Sequence, residues 1–193
     1  MKNVNKKYRD IVDAGKKLFW KHGIKRVTVE DICKKAEVSR VTFYKYFNDK
    51  ENLALFILRT HVEGGMEKYT RIMNDHVSFE EKIRRIIELK IESSDELSPE
   101  LLKDLKGGDF PELHNYFEKY THEGIETFMN DLRKAQWEGY IRKDLKTEFI
   151  LVMLNKLIDM TTDESLEKMY PSTSQLLGEM TRFFFYGVMP EGD

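Results

Sequence analysis

Apolar residues recur at helical spacing along most of the chain. Ile11, Ala14, Leu18 and Phe19 stand at i, i+3, i+7 and i+8, and the pattern returns in Leu53, Phe56 and Ile57 and again in Ile83, Ile86, Ile87 and Ile91. Such a stripe turns one face of a helix toward a core. Alternating stretches rich in β-branched residues are almost absent, as are Asn-Gly and Asp-Gly pairs, so hairpins have no support. The prolines come late, at Pro99, Pro111, Pro171 and Pro190, and nothing before them blocks a long helix. The pattern predicts an all-α protein of about nine helices.

Caps and breakers set the expected ends. A first helix runs from about residue 5 to 22 and stops at Gly23. Thr28 caps a second over about 29–36, and Ser39 a third over about 40–46. Asn48 or Asp49 opens a long fourth helix over about 50–74. Ser78 with Glu81 forms a capping box for the fifth, and Ser93-Ser94-Asp95 ends it. Ser98-Pro99 starts the sixth, Asp109-Phe110-Pro111 the seventh, which ends near Gly139. An eighth runs over about 145–168, and Pro171-Ser172 separates it from a ninth that reaches about 188.

The segment from Thr28 to Lys50 carries two short helices joined by a tight turn around Glu37-Val38-Ser39. Val29, Ile32, Ala36, Val38, Phe43 and either Val41 or Thr42 fall where a compact three-helix core needs apolar or small side chains. This is a helix-turn-helix, which lays its second helix in the DNA major groove with the first turn against base edges. Arg40, Val41, Thr42 and Lys45 are the expected base contacts. Arg40 has the donor fork for guanine O6 and N7, and Thr42 offers a hydroxyl and a methyl. Thr28, Ser39, Tyr44, Tyr46 and Lys50 are the expected phosphate contacts, hydroxyl and ammonium donors that position the domain without reading sequence. Phe43 and Phe47 are expected in the core.

Charge adds to this picture. The chain has 193 residues and a formal net charge of −2. Residues 1–60 hold 15 Lys+Arg against 7 Asp+Glu, giving +8, and the remainder therefore carries −10. A basic head on an acidic body suits a polyanionic partner. Lys2, Lys6, Lys7 and Arg9 add sequence-blind attraction.

The stretch Leu18-Phe19-x3-Gly23-x3-Val27-Thr28-Val29-x2-Ile32-x3-Ala36-x-Val38-Ser39-x2-Thr42-Phe43-Tyr44-x-Tyr46-Phe47-x2-Lys50-x2-Leu53 resembles the TetR family of bacterial transcriptional regulators. The resemblance covers about residues 8–58, and Gly139-Tyr140-Ile141-Arg142-x-Asp144 is a weaker echo. It implies a DNA-binding domain at 1–50 and a larger helical effector-binding and dimerisation domain at 51–193. It further implies repression of transcription, relieved by a small-molecule effector held in a cavity whose residues it does not identify. Two positions depart from the family pattern, Glu37 where glycine is usual and Cys33 where alanine is usual. Glycine takes a left-handed backbone cheaply, and Glu37 is disfavoured there by about 1 kcal/mol.

The rest of the chain contains no Gly-rich phosphate loop, G-x-S-x-G or H-E-x-x-H, so no enzyme is indicated and no cofactor is expected. The lone Cys33 excludes an intramolecular disulfide and is read as a small core residue. His114, Glu118, His122 and Glu126 share a helix face, but eight helical residues separate the two imidazoles by about 12 Å, too far to share one metal. Leu176, Leu177, Met180, Phe183 and Phe184 help make the last helix apolar nearly all round, which predicts a homodimer interface there or, alternatively, a helix deep within its own bundle. Gly64-Gly65, inside the fourth helix, is expected to act as a kink or hinge, or else to end the helix or admit a close neighbour. No apolar run is long enough to span a membrane, and no secretory signal follows the basic start, so a cytoplasmic location is expected. The reading is a sequence-specific regulator that binds an operator in double-stranded DNA. The alternatives are an all-α DNA-associated protein without effector, or an all-α enzyme or carrier with a basic surface.

Overall fold

The computed structural model describes residues 2–94, 98–160 and 163–188. Among the described residues there are ten helices and no strand. In chain order they are α1 (Lys2–His22), α2 (Val29–Lys35), α3 (Arg40–Tyr44), α4 (Lys50–Asn74) and α5 (Phe79–Ser94), followed by α6 (Pro99–Lys106), α7 (Pro111–Trp137), α8 (Thr147–Met160), α9 (Glu164–Glu167) and α10 (Thr173–Val188). The helix beyond the expected nine comes from the stretch read as one element over about 145–168. There Asp163 accepts from Ser165 N and Leu166 N and caps a separate turn, α9. The expected break at Ser93-Ser94 starts later, because α5 runs through both serines. Asp95 lies outside the described residues, as do the side chains of Ile87, Ile91 and Leu177.

The chain divides into two compact units, Met1–Gly64 with Glu96–Glu118, and Gly65–Asp95 with Lys119–Asp193. The first unit takes in the first part of α4 as well as α6, which packs on α1. Its core is built by the stripes that the spacing predicted. Ile11, Phe19, Ile32, Phe43, Leu53 and Leu101 are all buried to 1% exposure or less, and Cys33 is buried among them. Burial pushes the Cys33 thiol up, which keeps it protonated and suits a small core residue.

In the second unit α10 packs against α5. Ile83, Ile86, Met129, Leu132, Ile141, Ile150, Phe184 and Phe185 form its core. Tyr69 and Asp131 place a polar pair beside it, the phenol donating to Asp131 Oδ2 at 2.8 Å. Burial, with the nearby carboxylate, raises the Tyr69 hydroxyl far above its ordinary value, so it stays a donor.

The unit boundary falls between Gly64 and Gly65, and α4 continues through both. A Cβ on either would meet no atom within 4 Å. These glycines therefore neither end the helix nor admit a close neighbour, and their effect is to weaken the helix locally.

Candidate nucleic-acid interface

α2 and α3 owe their positions to three local devices. Thr28 caps α2 by a reciprocal box, its Oγ1 accepting from Asp31 N at 3.2 Å and Asp31 Oδ2 accepting from Thr28 N at 2.9 Å. The Asp31 carboxyl is held below its ordinary value first by the Thr28 hydroxyl, which donates to it at 2.6 Å, and then by the Thr28 backbone N–H. Ser39 caps α3, its Oγ accepting from Thr42 N at 3.2 Å and lying 3.0 Å from Thr42 Oγ1. Between the helices, Val38 N donates to Cys33 O at 3.0 Å and Glu37 N to Lys34 O at 3.4 Å. That pair of bonds is a Schellman end, and it requires a left-handed residue at Glu37, whose φ is +53°. The turn keeps the glycine conformation although the residue is glutamate.

The five residues of α3 then separate cleanly. Phe43 is fully buried, whereas Val41 is 82% exposed and Tyr44 54% exposed. Arg40 and Lys45 are exposed beside them, and Thr42 is half-buried. An exposed valine flanked by arginine and threonine on a short capped helix has no use inside this unit. Tyr46 is half-buried with its ring edge-on to Tyr8, and Phe47 is buried with its ring stacked on the same tyrosine. Lys6, Lys7 and Arg9 are exposed on α1.

Lys50 is placed differently from the expectation. Its ammonium donates to Ile24 O at 2.8 Å, Lys25 O at 3.1 Å and Val27 O at 2.9 Å. All three protons are committed to the link between α1 and α2, so in this state Lys50 braces that link instead of facing a phosphate. The same link is held from the other side by Asp104 of α6, whose Oδ2 accepts from Ile24 N at 2.6 Å and Lys25 N at 2.9 Å. Gly23 makes this possible. Its φ is +76°, and a Cβ there would stand 2.7 Å from Asp104 Oδ2. Lys25 and Arg26 pair with Asp109 and Glu100. Sequence reasoning missed Asp104, which lies 80 positions beyond Ile24 and has no local signature. It also missed Glu30, which pairs with Arg40.

The expected dimer residues divide. Phe183 is 73% exposed, but Leu176, Met180 and Phe184 are at 2%, 9% and 7%. These three, with Val188, are spaced by four and form the inner stripe of α10, so they are spent on their own chain. Tyr186 on α10, and Phe149, Val152 and Met160 on α8, are further exposed apolar residues. Among the described residues no group of three or more His, Cys, Asp or Glu is arranged for a metal ion, and no helix is long and apolar enough to cross a membrane.

A three-helix module whose short last helix, α3, keeps its outer face unpacked has the form of a helix-turn-helix. The family model for bacterial regulatory proteins of the tetR family matches residues 11–56. The HTH-type transcriptional regulator YuxN of Bacillus subtilis is 26% identical over 145 residues, which are 72% of this chain and 44% of YuxN. The chain thus spans less than half the length of that relative. In fold it is similar to a putative transcriptional regulator from Saccharomonospora viridis solved with choline, with a TM-score of 0.73 and 18% identity over 95% of this chain and 97% of that one. It is also similar to FadR from Bacillus subtilis solved with stearoyl-CoA, with a TM-score of 0.71 and 19% identity over 94% and 99%. Residues 11–56 thus resemble the DNA-binding segment of the tetR family, and the chain as a whole is similar in fold to regulators of that kind.

Proposed function

We propose that this protein is a cytoplasmic, homodimeric repressor that binds an operator through α3 and releases it when a small molecule binds the second unit. The observation that carries the DNA reading is the outer face of α3, where Arg40, Val41 and Lys45 stand exposed above a fully buried Phe43. Arg40 reads a guanine, Val41 and Thr42 meet base-edge methyl groups, and Lys45 adds a further base contact. Ser39, Tyr44, Tyr46 and Thr28 touch phosphates. Lys50 joins them only if it gives up a carbonyl of the α1–α2 link.

A second copy covers the exposed apolar residues of α8 and α10, with Phe183 and Tyr186 at the centre. The effector is a small molecule held among the helices of the second unit. Choline and stearoyl-CoA, bound by two proteins of similar fold, are the first compounds to try. Weakness at Gly64-Gly65 lets the effector-bound form hold α4 differently. The effector shifts the population only as far as its affinity for the two forms differs.

Binding of a selected operator by wild type and by the Arg40→Ala variant tests the core of this reading. Arg40→Ala should lose preference at one base pair of each half-site, and unchanged preference discards base reading by Arg40. Sedimentation of wild type should give a dimer and Phe183→Glu a monomer. A monomeric wild type at micromolar concentration removes the dimer.

A further inference from the structure

A carboxylate on the outer face of a DNA-reading module needs a reason, because it repels phosphates. Glu30 is the second residue of α2 and its side chain is 72% exposed. Its Oε2 accepts from Nη2 of Arg40, the first residue of α3, at 2.5 Å, and the Arg40 side chain is itself 63% exposed. So exposed an ion pair adds little to stability. Its effect is on conformation, since it selects one direction for a long side chain that otherwise samples many.

We propose that Glu30 is a positioning residue for base reading, and that it holds the Arg40 guanidinium with the remainder of its fork turned toward a guanine edge. This rests on the reading of Arg40 as a base contact. The donor count permits both interactions at once. A guanidinium has five N–H donors in a rigid plane. The bond to Glu30 uses one of them, and guanine O6 and N7 require two more. The connection between the partners is stiff, because α2 ends at the Schellman turn of Glu37 and α3 starts at the Ser39 cap. Pairing also lowers the repulsion that Glu30 would otherwise exert on the DNA backbone. Glu30 is therefore a specificity device that costs some total affinity and returns discrimination.

The test is selection from a random duplex library, followed by competition binding, with wild type, Glu30→Ala, Glu30→Gln, Arg40→Ala and the Glu30→Ala/Arg40→Ala double variant. Glu30→Ala should bind unselected duplex more tightly, since a carboxylate is gone, yet lose about two- to fivefold of the preference at the base pair that Arg40 reads. Glu30→Gln keeps an acceptor oxygen and should retain more of that preference. The double variant should match Arg40→Ala at that base pair, and thermal unfolding of Glu30→Ala should match wild type. A merely structural role would lower affinity and unfolding temperature together. If Arg40→Ala abolishes the preference while Glu30→Ala leaves it intact, the positioning role is wrong and base reading by Arg40 stands. If Glu30→Ala sharpens the preference, Glu30 withholds Arg40 from DNA and the proposal is overturned. If Arg40→Ala changes no preference, base reading by Arg40 falls and the role of Glu30 falls with it.

Discussion

Glu37→Gly should stabilise the protein, although it removes every side-chain atom at an exposed position. The residue sits at φ +53° because the Schellman end of α2 requires it. For a residue with a Cβ, the left-handed conformation costs about 1–2 kcal/mol. Glycine removes that cost but gives the unfolded chain more freedom, which returns about 0.5–1 kcal/mol. The net gain is about 0.5–1 kcal/mol. Glu37→Ala is the control, since alanine keeps the strained backbone and drops the carboxylate, so it should stay close to wild type. Urea unfolding of the full chain, followed by circular dichroism, measures the midpoints of the three proteins. The order should be Glu37→Gly above the other two, with equal slopes. A glycine variant no more stable than the alanine variant would refute the assignment of strain to this turn.

Lys50→Ala should destabilise the fold by about 1–3 kcal/mol, because three backbone carbonyls lose a charged donor. It should weaken DNA binding without reducing the salt slope of affinity, whereas loss of a direct phosphate contact would lower that slope by about one. Replacing both Gly64 and Gly65 by alanine should stabilise α4 by about 2 kcal/mol in thermal unfolding, since neither Cβ would meet an atom within 4 Å. The same change should reduce release of operator by the effector. Glu81 is pushed down to about 2 from 4.5, chiefly by the hydrogen bonds from Arg84 and then Arg85. A depressed carboxyl contributes stability that is complete above pH 4.5 and lost as pH falls toward 2. Unfolding of Glu81→Gln followed against pH should therefore converge on wild type across that window, and a constant gap down to pH 2 would contradict the pairing.

The helix-turn-helix was legible because its determinants are local. Thr28 and Ser39 each cap a helix three residues from the N–H they accept, and Phe43 follows the apolar spacing into the core. The ends of α4 could likewise be read, as could its glycine pair. What escaped was long-range. The clamp on the α1–α2 link joins Lys50 to carbonyls 23–26 positions earlier and Asp104 to amides 79–80 positions earlier. No spacing rule connects them, and Lys50 looked like a phosphate donor because an exposed ammonium and one that braces carbonyls look the same in a sequence. Composition likewise could not divide α10. A helix apolar all round does not say which stripe its own chain takes, and here the chain takes Leu176, Met180 and Phe184 and leaves Phe183 and Tyr186 outside.

The most direct measurement is selection of duplexes from a random library by the purified full chain. Sequence-specific binding through paired α3 helices predicts enrichment of one motif with two inverted half-sites, their centres about 10 base pairs apart. Affinity for that motif should fall steeply as salt is raised. No motif enriched over unselected DNA would contradict the reading of α3 as a recognition helix.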